Sequence, residues 1–381
     1  MRVLYHHRTR AQDGQAVHIR ALIQALGQEG HVVREVALVE RGAQDGSSGA
    51  GGWSWFSHMP RFAREAGEVA YSLPARRRIL REARAFEPDF LYERYAFGNF
   101  GGVSAAERLD LPLVLEVNSP MVAELSATRG LTFPRLARRI ERSILRRASR
   151  VCAVTSVLAD MLVELGVERQ RILVTPNGVH LEQYASPDAA AARQALGLAD
   201  LERPLLGFVG YVRHWHRLDL VLQALADPAL EGCHLALLGE GPAEGDLRAQ
   251  AGRLGLEQRV HFVGARPHAS IPGLLPAFDV AVVPAINPYA SPLKLFEYMA
   301  AGLAVVAPDQ PNLREVLEHG TNALLVHPQD GAALLEALVC LVGDPALRAR
   351  LGGRARRSIE ERDLTWRGNA RRVVRSVEEL R

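Results

Sequence analysis

"PLLGFVGYVRHWHRLDLVLQAL", residues 204–225, reads as a buried strand, a short loop and the opening of a helix. The loop carries Arg213 and His216 where the strand exits. Downstream the same alternation recurs, with "HLALLGE", "RVHFVG", "DVAVVP", "LAVVAP" and "NALLVH" as β-rich runs between helical patterns. Upstream lies a second series: "RVLYHH", "HVVREVALV", "DFLYERY", "LPLVLEV", "RVCAVT" and "RILVTP". Strands that alternate with helices argue for parallel sheets in an α/β architecture. Each series has the size of one doubly wound domain, and 381 residues exceed what one ordinary core holds. The expected division is residues 1–177 and 178–362. The stretch "TPNGVHLEQYASPDAAAARQALGL", with its Asn-Gly turn, suits a connection between them. Two such domains facing a central cleft bind ligands beyond the carboxyl ends of their strands.

Composition narrows the class. Hydrophobic residues make up 48% and charged residues 23%, as in soluble globular proteins. No apolar run approaches the roughly 20 residues a bilayer span requires. "MRVLYHHRTR" reads as a first strand rather than a signal sequence, which predicts a cytoplasmic protein. Cys152, Cys233 and Cys340 stand in apolar contexts without metal-type spacing, so three buried thiols in a reducing compartment are expected. No DxD-like or histidine cluster calls for a divalent metal. A net charge of +3 carries no case for nucleic acid. "AQDGSSGAGGWSWFSH" reads as a surface loop.

The strand ends of the second half hold the chemistry. Arg213 and His216 follow the first strand, Gly239 and Gly241 the second, Gly264 and Arg266 the third. The fourth leads into "YASPLKLFEYMAAG", residues 289–302, which contains Lys294, the single lysine of the chain. Ser291 reads as an N-cap, Pro292 as the first helical residue, Leu293 as part of the opening turn and Gly302 as the stop. Lys294 then falls where the helix dipole disfavours a cation by roughly 0.3–1 kcal/mol. Two explanations stay open: pairing with Glu297 on the same face, or an anion held beside the helix start. Cations, flexible backbone and a helix N-terminus gathered at four strand ends are how a diphosphate is held. Arg213 and Lys294 would take phosphoryl oxygens and Glu297 a ribose.

These segments, with "DGQAVHIRALIQALGQEGH", "LYERYAFG", "LVLEVNSP", "PNGVHLEQY" and "FDVAVVP", resemble the retaining family-4 glycosyltransferases (glycosyl transferases group 1). The resemblance runs nearly end to end. It implies the GT-B fold of two Rossmann-like domains, with a last helix (about 363–381) crossing back onto the first. It implies transfer of a sugar from a nucleotide-diphosphate-sugar, such as a UDP- or GDP-sugar, to a carbohydrate or lipid-linked hydroxyl acceptor. Polysaccharide, glycolipid or other glycoconjugate synthesis, with no cofactor, would follow. Arg213 matches the family's phosphate arginine, and Glu297 the second glutamate of its E-x7-E motif. Gly14 matches the glycine-rich loop over the donor phosphate, His18 a histidine in the helix after it. Asn118 stands where many relatives have a histidine near the reacting sugar. Departures include Tyr289 for the first E-x7-E glutamate, Asp13 for one loop glycine, and His216-Arg217 for the usual phosphate lysine, whose charge Lys294 would supply. A weakened GT-B nucleotide-sugar scaffold and a sugar-nucleotide epimerase are the rival readings.

Arg94, Glu116 and Glu124, at strand ends of the first half or just beyond, are acceptor-side candidates, with structural ion pairs as the plain alternative. Two arginine-rich tracts, 74–86 and 129–150, interleave apolar residues at helical spacing. With Trp53, Trp55 and Phe56 they fit peripheral contact with an anionic membrane at its inner face. They equally fit helices packing an apolar stripe on the sheet.

Overall fold

A computed structural model of the chain describes residues 1–9, 14–37 and 60–381. It divides into two compact units, one of residues 1–176 with 366–381, the other of residues 177–365. Asp13 and the stretch with Trp53, Trp55 and Phe56 lie outside the described residues.

In the first unit β1 (Arg2–His7), β2 (Val32–Ala37), β3 (Phe90–Arg94), β4 (Leu113–Val117), β5 (Arg150–Ala153) and β6 (Ile172–Val174) form a sheet in the order β2-β1-β3-β4-β5-β6. Every pairing is parallel. Central strands covered on both faces read as near-continuous apolar runs, and all five residues of β4 are buried, Glu116 being the charged one among them. The order reverses between β1 and β3, which makes their carboxyl ends a switch point. The helix Trp366–Glu378 closes this unit against the helix Gly14–Gln28: the Trp366 ring meets the His18 ring edge-on at 4.7 Å. Asn369 Nδ2 donates to the Pro176 carbonyl at 2.6 Å, and Arg150 Nε to that of Ser376 at 3.2 Å.

The second unit repeats the plan. Strands β7 (Leu205–Val209), β8 (His234–Leu238), β9 (Val260–Gly264), β10 (Val280–Val282), β11 (Ala304–Pro308) and β12 (Leu324–Val326) lie in the parallel order β12-β11-β10-β7-β8-β9. Alternate residues feed two cores. Leu205 and Val209 join one face with Leu295 and Phe296, while Leu206 and Phe208 join the other with Leu222 and Leu338. The switch point falls between β7 and β10.

Two expectations need correction here, and one tract divides between its two readings. The stretch 177–198 is part of the second unit rather than a connection, because Tyr184, Ala192 and Leu196 are buried in its core. Cys340 is exposed. Its helix Gly331–Gly343 buries Leu334, Ala337, Leu338 and Leu341, and position 340 falls off that stripe. Of the apolar residues in the 129–150 tract, Ile144 and Leu145 pack inward from the helix Pro134–Arg147, but Phe133 and Leu136 remain more than half exposed.

Candidate active site

The helix Leu293–Ala300 starts at the carboxyl side of β10 and is pinned beneath β7 by its own Tyr298, whose hydroxyl accepts the Val209 N–H at 2.7 Å. Its start is fixed differently from the sequence expectation. Ser291 does not cap it: the Ser291 hydroxyl accepts the Asn177 N–H at 3.0 Å, and the Asn177 amide donates to the Ser291 carbonyl. Pro292 takes the N-cap position instead, with no side-chain cap. Gly302, at φ +71°, does end the helix, with Leu303 N bonded to the Tyr298 carbonyl.

Lys294 does not pair with Glu297. Its side chain is partly covered, yet the ammonium nitrogen is buried and has no hydrogen-bond partner among the described residues. It sits 3.7 Å above the centre of the Phe208 ring. A Cβ at Gly210 would stand 3.1 Å from it, so the ammonium abuts the exit of β7. Burial, partly opposed by the Glu297 charge, lowers its pKa to about 7. Glu297, 7% exposed, instead receives His268 Nε2 at 2.6 Å. That histidine was not singled out from the sequence, and its place 29 positions earlier left no local sign.

His216 is not a substitute cation. Its ring lies buried between Phe208 (5.0 Å) and Trp215 (3.8 Å), with Nδ1 unpartnered among the described residues. Burial, then the Lys294 and Arg213 charges, pushes its pKa down to about 2, so it stands neutral beside the ammonium. Arg217 closes on Asp219 at 3.0 Å. Arg213 is exposed, its guanidinium 4.8 Å over the Tyr211 ring. Arg266 is exposed as well, beyond the end of β9.

Gly239 and Gly241 serve packing. A Cβ on Gly239 would fall 2.1 Å from the Gly210 carbonyl oxygen, and one on Gly241 2.3 Å from that of Val212. The loops after β7 and β8 thus meet backbone to backbone, bonded by Gly210 N to Leu238 O (2.9 Å) and Val212 N to Glu240 O (2.8 Å). Gly264, at φ +79°, has nothing within 4 Å of its would-be Cβ and leaves the adjoining loop end open.

In the first unit Arg94, Glu116, Asn118 and His18 come together. The Glu116 carboxylate, 2% exposed, accepts from Arg94 and Asn118 on Oε1. On Oε2 it accepts the Tyr92 hydroxyl at 2.8 Å and the Tyr5 hydroxyl at 3.4 Å, with His18 Nε2 at 3.1 Å. Burial would raise its pKa, but His18, Arg94 and the hydrogen bonds outweigh that and hold it well below the usual carboxylate range. Glu124 stands apart from this network, half-buried on the helix Met121–Thr128, and Gly14 is exposed at the start of its helix.

Residues 12–183 match the model of Glycosyltransferase Family 4, and residues 203–344 that of Glycosyl transferases group 1. The chain belongs to this family, and its two doubly wound units are those of the GT-B fold. A D-inositol 3-phosphate glycosyltransferase of Nocardia farcinica is 31% identical over 70% of this chain and 61% of that protein. A 2-deoxystreptamine N-acetyl-D-glucosaminyltransferase of Streptomyces fradiae is 33% identical over 65% and 58%. The chain spans about six-tenths of the length of the curated relatives it matches. Among solved structures, HepE of Anabaena in complex with UDP has a TM-score of 0.74 at 21% identity, covering 100% of both chains. Sucrose-phosphate synthase of Thermosynechococcus elongatus has a TM-score of 0.79 at 20% identity, over 100% of this chain and 99% of its own.

Proposed function

We propose that the chain moves a sugar from a nucleotide-diphosphate-sugar to a hydroxyl acceptor, with retention at the anomeric carbon. The observation that carries this reading is the buried Lys294 ammonium at the β7/β10 switch point, without a hydrogen-bond partner among the described residues. A cation kept dry at a ligand crevice has a use only when an anion arrives. Lys294, the exposed Arg213 and the start of the Leu293–Ala300 helix would stabilise charge growing on the departing diphosphate. The glycosidic C–O bond to that diphosphate breaks, the acceptor oxygen bonds the same carbon on the same face, and the acceptor's proton passes to the departing diphosphate oxygen. The Glu297 carboxylate, steadied by His268, would accept ribose hydroxyls. With two side-chain cations at the phosphates, the reaction needs no divalent metal. A UDP-sugar is the donor class to test first, since HepE of Anabaena, of like fold, was crystallised both with UDP and with UDP-glucose.

A thermal-shift series with UDP, GDP and their sugars, run in EDTA, is the direct test. One nucleotide family raises the melting temperature, and its sugar form is slowly consumed. If none shifts the transition and none is consumed, the reading fails.

The acceptor side would meet an anionic membrane. The Glu65 carboxylate accepts the Thr132 N–H at 2.7 Å and the Phe133 N–H at 3.4 Å, bringing the helices Arg61–Ala70 and Pro134–Arg147 together. Phe62, Phe133 and Leu136 are each more than half exposed there, among arginines. Apolar side chains ringed by cations suit an acidic lipid surface. The chain is expected to float with phosphatidylglycerol-containing vesicles at low salt and release at high salt. Failure to float at low salt removes this part.

A further inference from the structure

One oxygen of the Glu297 carboxylate is already engaged. His268 Nε2 stands 2.6 Å from Oε1, and an ionised carboxylate only accepts, so Nε2 carries the proton. In the neutral imidazole that leaves Nδ1 as an acceptor, and no described residue bonds to it. Glu297 Oε2 likewise has no hydrogen-bond partner among the described residues. The pair thus offers two open acceptors, each one carbon away from the hydrogen bond that joins them.

These acceptors are both reachable and fixed. The His268 side chain is 44% exposed, so a ligand can meet it. Its turn, His268–Ser270, follows β9 and is held on both sides. Ser270 Oγ donates to the Pro267 carbonyl at 2.7 Å, and Ile271 and Leu274 are buried in the core. Glu297 is anchored separately, through its neighbour Tyr298. Lys294 lies one turn earlier on the same helix, so the phosphate cation and one of the two acceptors share a scaffold.

We propose that His268 and Glu297 divide the donor's ribose, one hydroxyl each, so that the pair rather than Glu297 alone restricts the donor to ribonucleotides. The assignment deepens the glycosyl-transfer reading and rests on it. A ribose brings two vicinal hydroxyl donors to two acceptors, whereas a deoxyribose leaves one acceptor unmatched. A site built to pair a hydroxyl rejects the analogue that lacks it. The two contacts differ in strength, because a charged acceptor holds a hydroxyl more tightly than a neutral one.

UDP and GDP, each beside its 2′-deoxy and 3′-deoxy analogues, are titrated calorimetrically into the full chain. In the series whose parent binds, both analogues are weaker, one by about fivefold and the other by several tens of fold. H268F removes the smaller penalty and leaves the larger, and H268A on this exposed turn does the same. H268Q, which keeps a donor and an acceptor, restores the smaller penalty. If His268 merely braces Glu297, H268F and H268A shrink both penalties together, and the proposal is wrong. It is also overturned if a deoxy analogue matches its parent, or if both substitutions leave both penalties whole. In each of these cases the parent nucleotide still binds and the donor reading stands. If neither UDP nor GDP binds, the donor reading falls and this proposal with it.

Discussion

Lys294→Met makes the ligand-free chain more stable and strips it of nucleotide binding. The ammonium is buried without a hydrogen-bond partner among the described residues, and burial lowers its pKa to about 7. In the unfolded chain the same group titrates near 10.4. Between these values the unfolded chain holds a proton that the folded chain does not, so stability rises with pH across that window. Below pH 7 both states are charged and the penalty is complete, roughly 4–5 kcal/mol at about 1.4 kcal/mol per pH unit. Methionine has similar length and no charge to bury. At pH 6 the variant should therefore melt on the order of 10 °C higher, and the advantage should vanish near pH 10. Nucleotide binding moves the other way. Losing one preorganised cation at a phosphate costs about a hundredfold in turnover. In the unmodified chain, UDP affinity should weaken about tenfold per pH unit above pH 7, because the bound form needs the proton. Melting curves and UDP titrations at pH 6, 8 and 10 check both halves. A variant no more stable at pH 6, or one that keeps its UDP affinity, refutes the assignment.

Glu116→Gln has the opposite character and a similar size. Five side chains converge on this carboxylate, and the Arg94 guanidinium beside it is 11% exposed. Glutamine keeps the shape, but it loses the charge and turns an acceptor into a donor facing other donors. Breaking one side of a buried ion pair costs about 3–5 kcal/mol. Urea unfolding at pH 7 should show that loss, with an unchanged denaturant slope. Because the folded pKa is depressed, the contribution is present above the unfolded value near 4.3 and fades only as pH falls through the lower folded value. The gap between variant and parent should therefore stay constant from pH 8 to pH 5 and close only in strong acid. A loss under 1 kcal/mol at pH 7 shows that the network is dispensable.

What the sequence disclosed follows from the range of the forces involved. The strands were legible because parallel strands covered on both faces are near-continuous apolar runs, as in "LLGFV" and, but for Glu116, "LVLEV". Lys294 was legible through composition alone, since one lysine against many arginines needs a reason. Its buried state was not, because the covering ring belongs to Phe208 on another strand. Ser291 had every local mark of a cap, but its partner, Asn177, lies 114 positions away. The Glu116 hub draws donors from positions 5, 18, 92, 94 and 118, and no local pattern announces that convergence. Gly239 and Gly241 looked like a ligand turn, yet the crowding that requires them comes from neighbouring backbone.

The helix Trp366–Glu378 has a consequence for biogenesis. Its tryptophan covers His18 and its Asn369 ties down Pro176, so the first unit is finished by residues translated roughly 190 positions after its main body. At ribosomal speeds of about 5–20 residues per second, that body waits some 10–40 s with one flank bare. A nascent chain stalled before residue 366 should accordingly recruit holdase chaperones through the uncovered flank of the Gly14–Gln28 helix, and release them once the tail emerges.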